Sequence, residues 1–457
     1  MNNLTEIKND RFEFQLLSDI EFKNVKASAI KLLDQILSKN AKIRIEDFWP
    51  GLNVDHINRS NIHLVFLPLD RVGSEPGFSG TRVLICYFKY IKNKININSH
   101  SLVVKIREFD KEKNKCWLEN EKQRADGIYK YVTHESEKDN FAWPFHCDKA
   151  DSGKDHGILW SFFYSSSKPQ NILNPDQPFL TQKGLYSVLA ESAEINKGKT
   201  PRELREYHSA LDINLYKCRK TLELVFKYLE PLHWHEKKQF ISGEDKSFVH
   251  VYRDYLRGFK AKGKWGDVWR EIWGDKKWRK NCGKEKKYNP VYILKLIESY
   301  RKKICVGAIH GDLHPRNIVY DHKDSPRIID FGWAAQETHI AKDFALMECN
   351  LRFMVLRPDI PNKLLKRLTD WIPFSGRFKT TKNVYVNHRA ELINYLHEIA
   401  KSRFPSDTNW DTEYVVPMFL IALGLLRPKV LLNCHNRVAA IETIQTLADY
   451  LGNNVFN

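Results

Sequence analysis

Apolar positions are spaced differently in different parts of the chain. Asn24 to Lys39 (NVKASAIKLLDQILSK) places Ile30, Leu33, Ile36 and Leu37 on one stripe, which predicts a helix that breaks before Pro50-Gly51. From about residue 61 the period shortens. His63–Leu69 (HLVFLPL), Thr81–Tyr90 (TRVLICYFKY) and Ser101–Ile106 (SLVVKI) read as strands. A Gly- and Pro-bearing loop separates the first two, and a polar turn over Ile91–His100 the second pair; short polar links of this kind predict an antiparallel sheet. Lys113–Val132 reads as a helix with Leu118, Ala125, Ile128 and Val132 in register, and Gly157–Tyr164 (GILWSFFY) as a further strand. Ser165–Gln182 has loop composition. Beyond about 184 the pattern is mainly helical. Thr200-Pro201-Arg202-Glu203 forms a capping box with Pro at the first helical position, and Asn289-Pro290 opens a helix running to about Lys303. A strand-and-loop island, Val306–Trp333, interrupts the helices. The pattern predicts an α+β fold: residues 1–60 an N-terminal helical extension, 61–165 a small antiparallel β-rich lobe, 166–457 a large mainly helical lobe.

The 457 residues allow two to three domains or one two-lobed unit. With 42% hydrophobic and 28% charged residues, the composition is that of a globular protein. A formal charge of +17 favours anionic partners. Tyr414–Leu426 is the strongest apolar run, but it is interrupted by Pro417 and is shorter than the roughly 20 residues a membrane helix needs. It predicts a buried core helix and no membrane span. The opening residues, MNNLTEIKNDRFEF, have neither signal-peptide nor transit-peptide character. Eight scattered cysteines without a C-x-x-C read as reduced thiols in a cytoplasmic protein without a zinc site.

The island reads VGAIHGDLHPRNIVYDHKDSPRIIDFGWA. Phosphoryl transfer from ATP needs a carboxylate to orient the acceptor hydroxyl, oxygen ligands for Mg²⁺, a cation at the non-transferred phosphates and a loop over them. Asp312 is a candidate base. Asn317 and Asp330 offer a neutral and a charged oxygen to the metal. A tight hairpin through His322–Pro326 would bring both ligands to one end of two neighbouring strands.

HGDLHPRN followed by IIDFG resembles the catalytic and metal-binding loops of the aminoglycoside phosphotransferase and choline kinase branch of the protein-kinase-like superfamily. His310-Gly311-Asp312, in place of His-Arg-Asp, points to that branch. His314 stands where protein kinases usually have Lys and this branch a His or similar residue, and Arg316 where the branch often has Gly. No Ala-Pro-Glu follows. The resemblance implies a kinase-like two-lobed fold and an ATP·Mg²⁺-dependent phosphotransferase. It also implies that Asp343 braces the catalytic loop and that Lys105, on Val103–Ile106, contacts the α- and β-phosphates. The partner of Lys105 is expected on the following helix. Glu119 and Glu121 compete, and Glu121 shares the sheet-facing stripe. The loop Gly77-Phe78-Ser79-Gly80-Thr81-Arg82-Val83 supplies Gly77, Ser79 and Gly80 for phosphate contact; it is similar to the loop of the bacterial ternary complex associated domain 9 group of kinase-like proteins, which is associated with conflict systems. Main-chain groups of Ser161, Phe162 and Phe163 are expected at the adenine.

Arg253–Lys287 carries thirteen Lys or Arg against five Asp or Glu. Trp265, Trp269 and Trp273 are spaced on one helical face, with Trp278 beyond. The segment reads as an amphipathic helix on the core or as a surface for an anionic or nucleic-acid partner. Its charge disfavours a polycationic aminoglycoside as acceptor and favours another hydroxyl-bearing small molecule or protein. Two further readings are a nucleotide-binding pseudokinase scaffold and a nucleic-acid-binding protein acting through this segment.

Overall fold

The computed structural model describes residues 19–37, 49, 52, 61–67, 81–92, 95–100, 102–108, 117–148, 156–162, 184–191, 201–235, 240–241, 247–256, 288–321, 324–356, 360, 362–426 and 434–457. The chain packs into two compact units: Met1–Ser187 with Arg316–Ala335, and Val188–Pro315 with Gln336–Asn457.

The first unit is built on an antiparallel sheet of β1 (Ile62–Leu67), β2 (Arg82–Lys92), β3 (Ile95–Asn98), β4 (Leu102–Glu108), β5 (Pro144–Asp148) and β6 (His156–Phe162), in the order β1-β2-β4-β6-β5 with β3 also against β2. Its central strand β4 is buried from Leu102 to Ile106, which is why LVVKI reads as a continuous apolar run around one lysine. Successive side chains point to opposite faces. Leu102, Val104 and Ile106 join a core with Phe88 and Trp160. Val103 packs on the other face with Ala142, Val319 and Ile329.

Helix α1 (Asp19–Ile36) lays Val25, Ala29, Leu32, Leu33 and Ile36 into the first core. There Trp49, Phe88 and Trp160 stack in succession, with ring centroids 6.0 and 6.2 Å apart. Trp160 Nε1 donates to Ser28 Oγ at 2.8 Å, and Trp49 Nε1 to the Ile97 carbonyl at 3.1 Å, so each buried indole has its acceptor. Helix α2 (Trp117–Tyr129) buries Leu118, Glu121, Ala125 and Ile128. β9 (Ile318–Tyr320) and β10 (Pro326–Ile328) form the expected hairpin, in the register Ile318↔Ile328 and Tyr320↔Pro326. Asp321 closes it, accepting from Ser325 N–H at 2.9 Å and pairing with Arg327 at 2.9 Å.

In the second unit, α3 (Leu185–Glu191, shared with the first), α4 (Pro201–His233) and the turn α5 (Phe248–Val251) precede α6 (Pro290–Ser299). Asn289 caps α6, its side chain accepting from Val291 N–H at 2.8 Å. β8 (Ile304–Ile309) lies between the two-residue β7 (Phe240–Ile241) and β11 (Ala335–His339). The rest is helical: α7 (Ala341–Cys349), α8 (Asn362–Thr369), α9 (Val384–Arg403), α10 (Val416–Leu425) and α11 (Cys434–Asn454). The apolar run forms a π-turn over Asp411–Val415 and then α10, buried from Val416 to Gly424, as a core helix. Among the described residues no helix is long and apolar enough to cross a membrane.

Several boundaries depart from the pattern. α1 begins at Asp19, five residues before the expected start at Asn24, and α6 stops at Ser299, where Tyr300 turns extended at ψ 123°. The polar stretch read as a turn holds β3, and β5 had no counterpart in the pattern. Both lie at the margin of the sheet, where a strand needs few apolar residues and tolerates Pro at its start. The loop at 165–182 and most of the basic tryptophan segment, including Trp265, Trp269, Trp273 and Trp278, fall outside the described residues.

Candidate active site

The sheet lobe assembles a buried charge cluster from three distant parts of the sequence. Lys105 stands opposite Val83 and Leu159 in the sheet register and is 1% exposed. Its ammonium lies 2.5 Å from Glu121 Oε1 and 2.9 Å from Asp330 Oδ1. Glu121 reaches it because its position on α2 falls on the same stripe as Leu118, Ala125 and Ile128; Glu119 is off that stripe. Glu121 Oε1 also accepts the Phe331 N–H at 3.1 Å, tying the helix to the turn that carries Asp330.

One ammonium therefore serves two carboxylates, and this explains why both partners of the Lys105–Glu121 pair shift upward. Burial opposes the Lys105 charge, but Asp330 and Glu121 outweigh it and hold the lysine above its ordinary value. Burial also pushes the Glu121 carboxyl up to about 7; Lys105 opposes this and the nearby Asp330 charge reinforces it. The lysine is firmly cationic, while the carboxylates share too little positive charge. Asp330, with a side chain 29% exposed, is the member of the cluster that faces outward.

Local backbone geometry sets that orientation. Asp330 has φ +71°, a left-handed conformation that costs a non-glycine residue energy and persists only where neighbours enforce it. Phe331 is buried against Trp143, rings stacked with centroids 4.7 Å apart at 16°. Gly332 N–H donates to Asp330 Oδ1 at 3.2 Å, and Arg124 donates to the Gly332 carbonyl. The hairpin supplies the last element. Asn317, buried at the end of the 3-10 turn Pro315–Asn317, immediately precedes β9, and its carbonyl accepts the Ile329 N–H at 3.0 Å. Asn317 and Asp330 thus stand at one end of the hairpin. A carboxylate oxygen and an amide oxygen are hard donors that fit Mg²⁺, which takes one or two protein ligands and completes its shell with phosphate and water. Among the described residues no group of three or more His, Cys, Asp or Glu could hold a metal ion.

The loop after β8 belongs to the second unit. Asp343, fully buried near the start of α7, accepts the N–H groups of His310 and Gly311 at 3.0 and 2.8 Å and pairs with His233 Nε2 at 3.1 Å. Burial would raise its carboxyl, but the hydrogen bond and charge of His233 override this and hold it below the usual range. Gly311 has φ +80°, a turn that suits glycine. Asp312 comes next, its side chain 28% exposed, with His314 Nε2 3.6 Å from Oδ2. His310 is buried; its Nδ1 lies 3.4 Å from the Asp312 N–H.

The structure thus gathers Lys105, Glu121, Asp330 and the backbone of Asn317 in one unit, and His310, Asp312, His314 and Asp343 in the other. Phe162 ends β6 and Ser161 is buried beside Val103. Gly77, Ser79, Gly80 and Phe163 lie outside the described residues. Three contributors carried no signal in the sequence. Trp143, which holds Phe331, His233, which pairs with Asp343, and Tyr255, which reaches the Asp312 loop, act across long sequence separations and belong to no motif.

A search of curated proteins finds no match. Solved structures similar to the chain include an amicoumacin kinase, hAmiN, in complex with AMP-PNP, Ca²⁺ and Ami, at 13% identity over 92% of this chain and 96% of that one, with a TM-score of 0.37. A thermostable mutant of aminoglycoside phosphotransferase APH(4)-Ia is 10% identical over 84% and 93%, with a TM-score of 0.40. The choline kinase LicA from Streptococcus pneumoniae is 9% identical over 80% and 90%, with a TM-score of 0.34. Residues 281–384, which carry the Asp312 loop, the Asp330 turn and Asp343, match the family model described as Ternary complex associated domain 9, the same group that the Gly77–Val83 loop resembles.

Proposed function

We propose that the protein is an ATP- and Mg²⁺-dependent phosphotransferase acting on a hydroxyl-bearing acceptor. The observation that carries this reading is the buried Lys105–Glu121–Asp330 cluster. Burying a lysine with two carboxylates on a sheet is costly for stability alone, and a partly exposed aspartate at its edge gives that cost a use. In this reading Lys105, steadied by Glu121, binds the α- and β-phosphates. Asp330 and Asn317 hold the metal. Gly77, Ser79 and Gly80 line the phosphates, and main-chain groups of residues 161–163 meet the adenine. Bound Mg·ATP supplies the activated phosphoryl group and the charge neutralisation of its transfer. Asp312 orients the acceptor hydroxyl and takes its proton, while His310 and His314 flank it and Asp343 fixes the loop.

The acceptor is a small molecule or protein without a large positive charge. The chain carries a formal +17, and Arg316, exposed within the Asp312–Asn317 loop, lies over the Tyr186 ring at 4.5 Å. A cation at that place repels a polycationic substrate. The test pairs calorimetric titration of Mg·ATP with transfer of label from γ-labelled ATP into extract of the source cells. The reading expects binding that Lys105→Ala abolishes, together with label on a discrete acceptor. Binding without transfer to any acceptor identifies a nucleotide-binding scaffold, and absence of binding refutes both readings.

A further inference from the structure

Tyr252 and Tyr255 leave the same turn, directly after α5, and their hydroxyls link to opposite ends of β8, the first through His339 and Glu413 and the second through the loop that follows the strand. Tyr252 Oη lies 3.0 Å from His339 Nδ1. His339 Nε2 meets the Glu413 carboxylate, and Glu413 Oε1 accepts the Cys305 N–H at 2.5 Å near the start of the strand. At the other end, the Tyr255 hydroxyl donates to the Gly311 carbonyl. The N–H of that same glycine is held by Asp343 Oδ1 at 2.8 Å. Gly311 is thus gripped at both its N–H and its C=O, and its C=O belongs to the peptide plane that leads into Asp312.

The approach of Tyr255 is itself provided for. Gly424 of α10 faces its backbone, and a Cβ there would lie 2.8 Å from the Tyr255 carbonyl oxygen and 3.1 Å from its Cβ. Burial first, and the nearby Asp312 and Asp343 charges after it, push the Tyr255 phenol well above its ordinary value. The hydroxyl therefore stays a donor at any working pH.

We infer that Tyr255 is a positioning residue for the transfer step: its hydroxyl and Asp343 clamp Gly311 from two sides and so fix the direction in which Asp312 presents its carboxylate. The inference rests on Asp312 as the base of the proposed reaction. A tyrosine that merely filled the core would act through its ring, and phenylalanine would replace it without consequence. A clamp acts through the hydroxyl alone.

The test uses the full chain with Tyr255→Phe and Gly424→Ala, read by hydrogen–deuterium exchange and by steady-state kinetics. In Tyr255→Phe, exchange at the His310, Gly311 and Asp312 amides should accelerate roughly five- to tenfold, the scale of one lost neutral hydrogen bond. Exchange in α7 and α10 should hold, and kcat should fall while KM for ATP stays put. Gly424→Ala keeps the phenol but crowds its backbone, and should loosen the same three amides. Unchanged exchange at these amides in Tyr255→Phe, or acceleration spread evenly over the unit, overturns the clamp. A wild-type protein that transfers no phosphoryl group would refute the functional reading instead, and the exchange measurement would still decide the clamp.

Discussion

Replacing Glu121 with Gln isolates the electrostatics of the lysine cluster. The amide keeps the shape of the side chain and an oxygen for Lys105 and for the Phe331 N–H, but removes the charge. In the wild type the carboxyl is pushed from its ordinary 4.5 to about 7. The folded protein therefore keeps this proton over a range in which the unfolded chain has released it, and Glu121 makes stability fall as pH rises through that window. At about 1.4 kcal/mol per pH unit, the interval amounts to roughly 3 kcal/mol. Lys105 beside Glu121, and the lowered carboxylates Asp343 and Glu348 of the second unit, titrate elsewhere. The raised Lys105 contributes stability that is complete below its ordinary 10.5 and is lost only above it. The lowered Asp343 and Glu348 contribute stability that is lost only as pH falls below their ordinary 3.8 and 4.5. Urea unfolding of both proteins at pH 5, 6, 7 and 8 measures the difference. The wild type should lose roughly 3 kcal/mol more than Glu121→Gln between the ends of that range. Parallel stability curves would refute a buried carboxylate short of positive charge.

Two packing contacts can be tested in the same way. Ser28→Ala leaves the buried Trp160 indole N–H without its acceptor and should destabilise the sheet lobe by about 1–3 kcal/mol in urea unfolding; an unchanged midpoint would mean that α1 does not dock through this bond. Gly307→Ala would set a Cβ 2.2 Å from the His233 carbonyl, too close for β8 and α4 to keep their contact. Expression should yield little folded protein, and a Tm within a degree of wild type would contradict the packing.

The parts of the candidate site that lie on regular elements were legible in the sequence. The run Val103-Val104-Lys105-Ile106 is apolar on both sides of a lysine because β4 is the central strand, buried on both faces. Helical spacing separated Glu121 from Glu119, since only one lies on the stripe with Leu118 and Ala125. The hairpin could be anticipated because the turn residues Asp-His-Lys-Asp-Ser-Pro (321–326) separate two short β-branched runs. Other features depended on partners that spacing does not specify. The stripe of α1 announces a buried face but not the Trp49–Phe88–Trp160 stack beneath it. β3 and β5 take their extended form from neighbouring strands more than from their own residues. His233 meets Asp343 across 110 positions and Tyr255 meets Gly311 across 56, and neither tyrosine nor histidine stands in a recognisable motif. The left-handed Asp330 is likewise a product of tertiary enforcement, held by Phe331 packing and the Gly332 N–H.

The central claim is that Asp312 takes the acceptor proton while Lys105 and Asp330 hold the nucleotide. It is tested most directly by comparing wild type with Asp312→Asn, measuring Mg·ATP affinity and phosphoryl transfer to the labelled acceptor on the same preparations. The account predicts matching affinities with transfer reduced by at least about a hundredfold, the lower scale of a positioned general base. Transfer by Asp312→Asn at the wild-type rate would contradict it.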